Sequence, residues 1–200
     1  MNESPDILYR NSQRSVQQVS MKFQRELLHS INWNARIIGI KGPKGVGKST
    51  LLKQRIKEAF PDESKVLYVS LDNMWFANNS LANLVEYHYT HGGTHLFLDE
   101  VHKYEHWQTY IKNIYDDYPT MNVVFTGSSM LKLDKGEGDL SRRVTMYTMN
   151  GLSFREYLMF ENALQFDKLS LDDILNNHIQ IATEIADKIH ILPYFENYCK

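Results

Sequence analysis

Arg36 to Lys41 (RIIGIK) is a short apolar run that leads directly into Gly42-Pro-Lys-Gly-Val-Gly-Lys48-Ser49, and a helical segment, Ser49 to Phe60, follows at once. This strand, glycine loop and helix constrain the fold more tightly than any other stretch of the chain. Glycines at 42, 45 and 47 allow successive backbone N–H groups to turn inward without Cβ obstruction. The helix that leaves the loop presents its positive end to the same place. Lys48 adds a full positive charge there, and the Ser49 hydroxyl adds a neutral oxygen. The arrangement suits a multiply charged anion with several oxygens, and the pattern G-x-x-x-x-G-K-S/T is the one that cradles nucleotide phosphates. At average composition a chance match in a chain of this length has a probability on the order of one per cent.

The remaining elements place that unit in a sheet. Lys65 to Leu71 (KVLYVSL), His95 to Asp99 (HLFLD) and Met121 to Thr126 (MNVVFT) are further buried strands, and Arg143 to Met149 alternates as a fifth. Helical spacing of Val16, Val19, Phe23 and Leu27 predicts a first helix over 13–30. Residues 80–90 are weakly helical, and Trp107, Tyr110, Ile111, Ile114 and Tyr118 mark another helix closed by Pro119. Strands separated by helices imply parallel crossovers and a sheet covered on both faces. The expected fold is therefore α/β: a three-layer parallel-sheet nucleotide-binding core over residues 1–150, with about five strands. Helical lid segments follow over 151–200. Ser153 to Glu161 and Ser170 to Leu192 read as helices, the second opened by a capping box of Ser170 and Asp173.

Three further blocks carry chemistry. Asp99 and Glu100 leave an apolar strand, where a carboxylate needs a reason; Mg²⁺ held opposite Ser49 supplies one for Asp99. Glu100 is placed to orient or deprotonate an attacking water. Phe125-Thr126-Gly127-Ser128-Ser129 puts hydroxyls at the end of a neighbouring strand, within reach of a γ-phosphate. Arg142 and Arg143 offer an arginine for transition-state charge, from within the chain or across a subunit interface. His95, His102 and His106 straddle a strand and a loop with no cysteine nearby, a poor arrangement for zinc. Trp75 and Phe76 (DNMWFANN) suit an exposed partner site or a core anchor equally well.

The phosphate loop, LFLDEVHKYEHWQTYIKNIYDDYP, VVFTGSSML and DLSRRVTMYTMNGLSFREYL, in that order, closely resemble the AAA+ superfamily ATPases of bacteria and archaea. The resemblance runs from about Tyr9 to Tyr157. It implies that Gly42, Pro43, Lys44, Gly45, Val46, Gly47, Lys48, Ser49 and Thr50 form a Walker A motif. It makes Asp99 and Glu100 Walker B, Ser128 the sensor on the strand between the P-loop and Walker B strands, and Arg143 the finger. Implied cofactors are ATP and Mg²⁺, with Ser49 and Asp99 on the metal. The adenine is expected near Leu8, Tyr9 and Arg10. A lid sensor arginine, common in AAA+ proteins, has no candidate beyond Arg155. The family commonly couples this core to a C-terminal winged-helix or nuclease-like domain. A longer protein, a homo-oligomer, and a DNA or protein partner reached through that domain are therefore expected.

Composition sets the boundaries of this reading. Apolar residues make up 42% of the 200 and charged residues 23%, which excludes wholesale disorder. A net charge of −2 announces neither nucleic acid nor membrane, although residues 1–50 carry eight basic against three acidic side chains. The lone cysteine, Cys199, excludes an internal disulfide. The start, MNESPDILYR, has no apolar run and no stretch approaches eighteen apolar residues, so a cytoplasmic protein without membrane contact is expected. The function expected is Mg²⁺-dependent ATP hydrolysis that drives a conformational switch. A nucleotide-gated regulatory or DNA-associated module with little turnover fits the same motifs. A small-molecule kinase lacks an arginine-rich lid, and a GTPase lacks an Asn-Lys-x-Asp motif.

Overall fold

The computed structural model describes residues 4–127, 140 and 142–199. The chain divides into two compact units, Met1–Asn150 and Gly151–Lys200. In the first unit β1 (Ile37–Lys41), β2 (Val66–Ser70), β3 (His95–Asp99), β4 (Asn122–Gly127) and β5 (Thr145–Thr148) form one sheet in the order β2-β3-β4-β1-β5. Every pairing is parallel. β4 lies between β1 and β3, as the resemblance implied. The carboxyl ends of the glycine-loop strand and the Asp99 strand therefore flank the end of the β4 strand.

Because side chains alternate along a strand, the apolar runs supply both faces of the sheet. Ile38, Ile40, Phe97 and Val124 pack with Leu51, Leu52 and Ile56 of α3 (Lys48–Ala59). On the other face, Ile37, Leu96, Leu98, Val123 and Phe125 pack with Leu84 and Val85 of α4 (Leu81–Thr90). Ile111 and Ile114 of α5 (Trp107–Asp117) complete that layer. This is the three-layer α/β arrangement expected. Helix α1 (Asp6–Gln18) covers the open edge of β2, where the Tyr68 amide donates to Ser12 Oγ at 3.0 Å, so the exposed strand edge is closed.

Two helices differ from their periodicity. The helix expected over 13–30 is two, α1 and α2 (Glu26–Ser30), separated by a segment at 19–25. No glycine or proline marks the break; α3 imposes it. Gln54 Nε2 donates to the carbonyls of Ser20 and Phe23, and Lys57 Nζ to those of Gln17 and Val19. The helix expected to run from Ser170 to Leu192 stops at Lys188, with α7 at Leu171–Lys188 and α8 at Ile191–Tyr198. Pro193 accounts for that break: in a continuous helix its ring would clash with the carbonyl of Ile189, but in the first turn of α8 it is tolerated.

In the second unit α6 (Phe154–Phe160) and α7 each begin with a capping box, Ser153 with Glu156 and Ser170 with Asp173. Phe154 of α6 packs on Phe195 and Tyr198 of α8, and the Tyr198 hydroxyl donates to the Leu152 carbonyl at 2.6 Å. Among the described residues no helix is long and apolar enough to cross a membrane.

Candidate functional site

The glycines of the loop do different work. Gly45 and Gly47 have φ of +86° and +98°, the left-handed region that L side chains avoid, and Gly47 immediately precedes α3. Gly42 is needed for space: a Cβ on it would lie 2.1 Å from the Met149 carbonyl oxygen. That carbonyl belongs to a seam in which the Met149 amide donates to the Lys41 carbonyl at 2.7 Å. Buried Arg25 closes the seam, its guanidinium donating to Val46 O at 2.8 Å and to Asn150 O at 2.9 Å. Arg25 was not recognisable from sequence, since an arginine in a helical-looking stretch resembles any surface charge.

Lys48 is 5% exposed, and its Nζ donates to the carbonyls of Gly42 at 2.9 Å and Pro43 at 2.7 Å. The ammonium thus lies across the mouth of the loop. Burial pulls its pKa below the usual lysine range, and the negative charges of Glu100 and Asp99 oppose that shift. Parallel pairing of β1 and β3 with β4 puts both acids at the same end of the sheet as the lysine. Pro43, Lys44, Gly45 and Thr50 are exposed, while Val46 and Ser49 are half-buried.

Asp99 is 2% exposed at the end of β3. Its Oδ1 accepts from the Thr126 hydroxyl and, at 3.1 Å, from the Glu100 amide. Its Oδ2 accepts from the Tyr68 hydroxyl at 2.7 Å. Burial and the neighbouring Asp99 charge push the Tyr68 phenol well above the ordinary range, and the Ser49 hydroxyl counters part of that shift. Tyr68 is therefore bonded directly to one of the two residues expected on the metal. A hydroxyl and a buried carboxylate are oxygen ligands of the kind Mg²⁺ takes, so Ser49 and Asp99 fit that ion. Glu100 adopts φ +53°, uncommon for a residue with a side chain. Its Oε2 lies 3.4 Å from His102 Nε2.

Tyr68 and Thr126 escaped sequence reading because alternation alone assigns them to the core.

The histidines of 95–106 go three separate ways: His95 packs on Phe60, His102 pairs with Glu100, and His106 precedes α5. Trp75 is buried and stacks edge-on against Phe76, so this pair anchors the loop after β2. Leu8, Tyr9 and Arg10 lie within α1, not before it, and the Tyr9 hydroxyl donates to His88 Nδ1 on α4. The segment named for the adenine is therefore part of the first helix itself, joined to α4 through Tyr9.

Ser128, the expected sensor, lies outside the described residues, as does Ser129. Arg143 does not join the site of its own chain. It pairs with Asp116 at 3.3 Å and lies over the Tyr115 ring, the same ring that holds Arg36. With Ile38 opposite Thr145, Arg143 is level with Arg36 at the start of β1. The loop begins six residues further on, about 20 Å along a strand. Arg142 is exposed at the same end.

The family comparison agrees with the geometry. The family model described as AAA domain matches residues 34–158. An uncharacterized protein of Methanocaldococcus jannaschii is 30% identical over 171 residues, covering 80% of this chain; the chain spans 35% of that relative's length. Among solved structures, AMPPCP-bound DnaA from Aquifex aeolicus is 21% identical with a TM-score of 0.44, over 85% of this chain and 57% of its own. C. elegans PCH-2 is 17% identical with a TM-score of 0.41, over 86% and 51%. With its five-stranded parallel sheet, its glycine loop and a family match across most of both, the chain belongs to the AAA domain family of P-loop ATPases.

Proposed function

We propose that this chain binds ATP with Mg²⁺ and hydrolyses it, and that the change of nucleotide state drives a conformational switch. The observation that carries the reading is that the parallel order β3-β4-β1 brings Asp99, Glu100 and the glycine loop with its buried Lys48 to one end of the sheet. Ser49 and Asp99 would hold Mg²⁺, which when bound neutralises phosphate charge. Gly42 to Thr50 supply the phosphate cradle, and Lys48 exchanges its two loop carbonyls for phosphate oxygens. The Glu100 carboxylate accepts a proton from the attacking water; His102 holds it until then. Ser128 follows β4 directly and is assigned the sensing of the γ-phosphate.

Arg143 is assigned to the site of a neighbouring copy, because its own loop is a strand's length away. A homo-oligomer is part of the proposal for that reason. The same placement favours a second reading for the isolated chain: it binds nucleotide and turns over little until a second copy or a partner completes the site. Residues 1–150 are assigned as the nucleotide-binding domain and residues 151–200 as a helical lid segment. The output, on DNA or protein, is assigned to a further domain of a longer, cytoplasmic protein.

The test is paired. Lys48→Ala is expected to abolish binding of a fluorescent ATP analogue, whereas Glu100→Gln is expected to keep binding and lower phosphate release about 100-fold or more. Turnover by Glu100→Gln at the wild-type rate overturns the assignment of the base. Wild-type affinity in Lys48→Ala overturns the phosphate site.

A further inference from the structure

The Asp99 carboxylate is unusually well supplied with donors. Oδ1 is saturated by the Thr126 hydroxyl and the Glu100 amide, which together fix the plane and direction of the group. Oδ2 takes the Tyr68 hydroxyl at 2.7 Å, and this donor is not needed for orientation. It comes from β2, one strand away. Tyr68 sits opposite Phe97 in the register, and Ser70 opposite Asp99, so the phenol leans one pleat step up the sheet to reach the acid. The phenol is held in that position from two directions. Its backbone amide is fixed by Ser12 Oγ, and the Lys53 ammonium lies 4.8 Å from its ring centre.

We propose that Tyr68 is a positioning residue that moderates the grip of Asp99 on the metal, through a hydroxyl that competes for the carboxylate oxygen still open to the metal's shell. The inference rests on the Mg²⁺–nucleotide reading of the site. Oδ2 has two lone pairs; Tyr68 takes one and withdraws electron density from the other. A carboxylate with fewer donors is the stronger acceptor, since hydrogen bonds to the charged form lower its basicity. The chemical consequence is metal and product release. Asp99 grips firmly enough to load the metal with ATP, and loosely enough that ADP leaves with it.

The test uses Tyr68→Phe, which keeps the ring and removes only the hydroxyl. Binding of a fluorescent ADP analogue is titrated with Mg²⁺ and repeated in EDTA. The expected result is a Mg²⁺ half-saturation about three- to tenfold lower than in the wild type, the range for losing one hydrogen bond to a carboxylate that water partly replaces. Affinity in EDTA should stay within about twofold, and release of the Mg²⁺-bound analogue should slow correspondingly. In an Asp99→Asn background Tyr68→Phe should leave the Mg²⁺ midpoint unchanged, as coupling through one carboxylate requires. A half-saturation equal to or above that of wild type overturns the role of Tyr68. If the wild type itself binds the analogue equally in Mg²⁺ and EDTA, the metal site fails and this inference fails with it. The readout is a midpoint within one sample, so a smaller folded fraction changes its amplitude only.

Discussion

Gly42 separates two explanations for a glycine loop that sequence alone merges: backbone freedom and lack of room. In Gly42→Ala the new Cβ starts 2.1 Å from the Met149 carbonyl oxygen and must reach at least 3.0 Å, a retreat of 0.9 Å. The carbonyl is not free to retreat. Its own residue's amide donates to Lys41 at 2.7 Å, and the next carbonyl is held by Arg25 at 2.9 Å. Overpacking costs about 1–3 kcal/mol and a strained backbone hydrogen bond about 1 more. Loss of unfolded-chain entropy returns about 0.4–1 kcal/mol. The net is about 1–3.5 kcal/mol, or a melting temperature lower by about 3–10 °C for a chain of this size. Gly45→Ala is the control: nothing lies within 4 Å of its added Cβ, and only the +86° φ is violated. That strain is about 1–2 kcal/mol before the same entropic return. Thermal melting by circular dichroism reads both, and fluorescent-ATP affinity should fall further in Gly42→Ala. A Gly42→Ala variant melting within about 2 °C of wild type, or above Gly45→Ala, refutes the packing argument.

Three further outcomes follow from the structure. His88 is 1% exposed between the Tyr9 hydroxyl and the His95 carbonyl, and burial holds its pKa below the ordinary 6.5. The unfolded chain therefore binds the proton more readily, and stability should fall as pH drops through 6.5 towards the lowered folded value. His95, lowered chiefly by burial as well, contributes in the same direction. His88→Gln should flatten the pH dependence of urea midpoints between pH 7 and 5, and an unchanged slope counts against it. Arg25→Gln removes charge-assisted bonds to Val46 and Asn150 and should weaken ATP binding about tenfold by calorimetry; an affinity within about twofold of wild type contradicts the seam. Arg143→Ala should bind ATP normally yet turn over slowly, and mixing it with Lys48→Ala should restore activity, because each supplies what the other lacks. Mixtures no better than the sum of the parts rule out the neighbouring-copy role.

Where the sequence was legible, one physical rule acted alone. The strand HLFLD is β3 to the residue, because an apolar run buried on both faces has little other use. The Ser170–Asp173 capping box is present because both partners lie within one turn. The breaks at 19–25 and 189–190 were harder. The first depends on Gln54 and Lys57 of another helix, which no local pattern contains. The second was signalled by Pro193, but the isoleucine stripe of the helix outweighed it. In the site, the charged groups were legible because charge at a strand end is anomalous. Their neutral partners were not, because Tyr68 and Thr126 satisfy the alternation of a core strand and become polar contacts only when the sheet order puts β2 and β4 on either side of Asp99.

That sheet order also determines what a ligand must displace. Each charged group at the site already has a partner within the chain: Lys48 has two loop carbonyls, Asp99 has Tyr68 and Thr126, and Glu100 has His102. Binding is therefore an exchange of hydrogen bonds, and the net gain per group is far smaller than the gross interaction. A phosphate alone can exchange only the lysine's partners, and a divalent cation alone only those of Asp99. Nucleotide and metal together exchange both sets while using the same cradle and the same positive end of α3. Since Lys48 and Asp99 attract each other across the site, relieving one without the other leaves a charge without its compensation. Synergy between metal and nucleotide thus arises from the internal partners themselves. Removing the Tyr68 hydroxyl leaves the cation one hydrogen bond fewer to displace at Asp99, which is why the Mg²⁺ midpoint should fall in Tyr68→Phe.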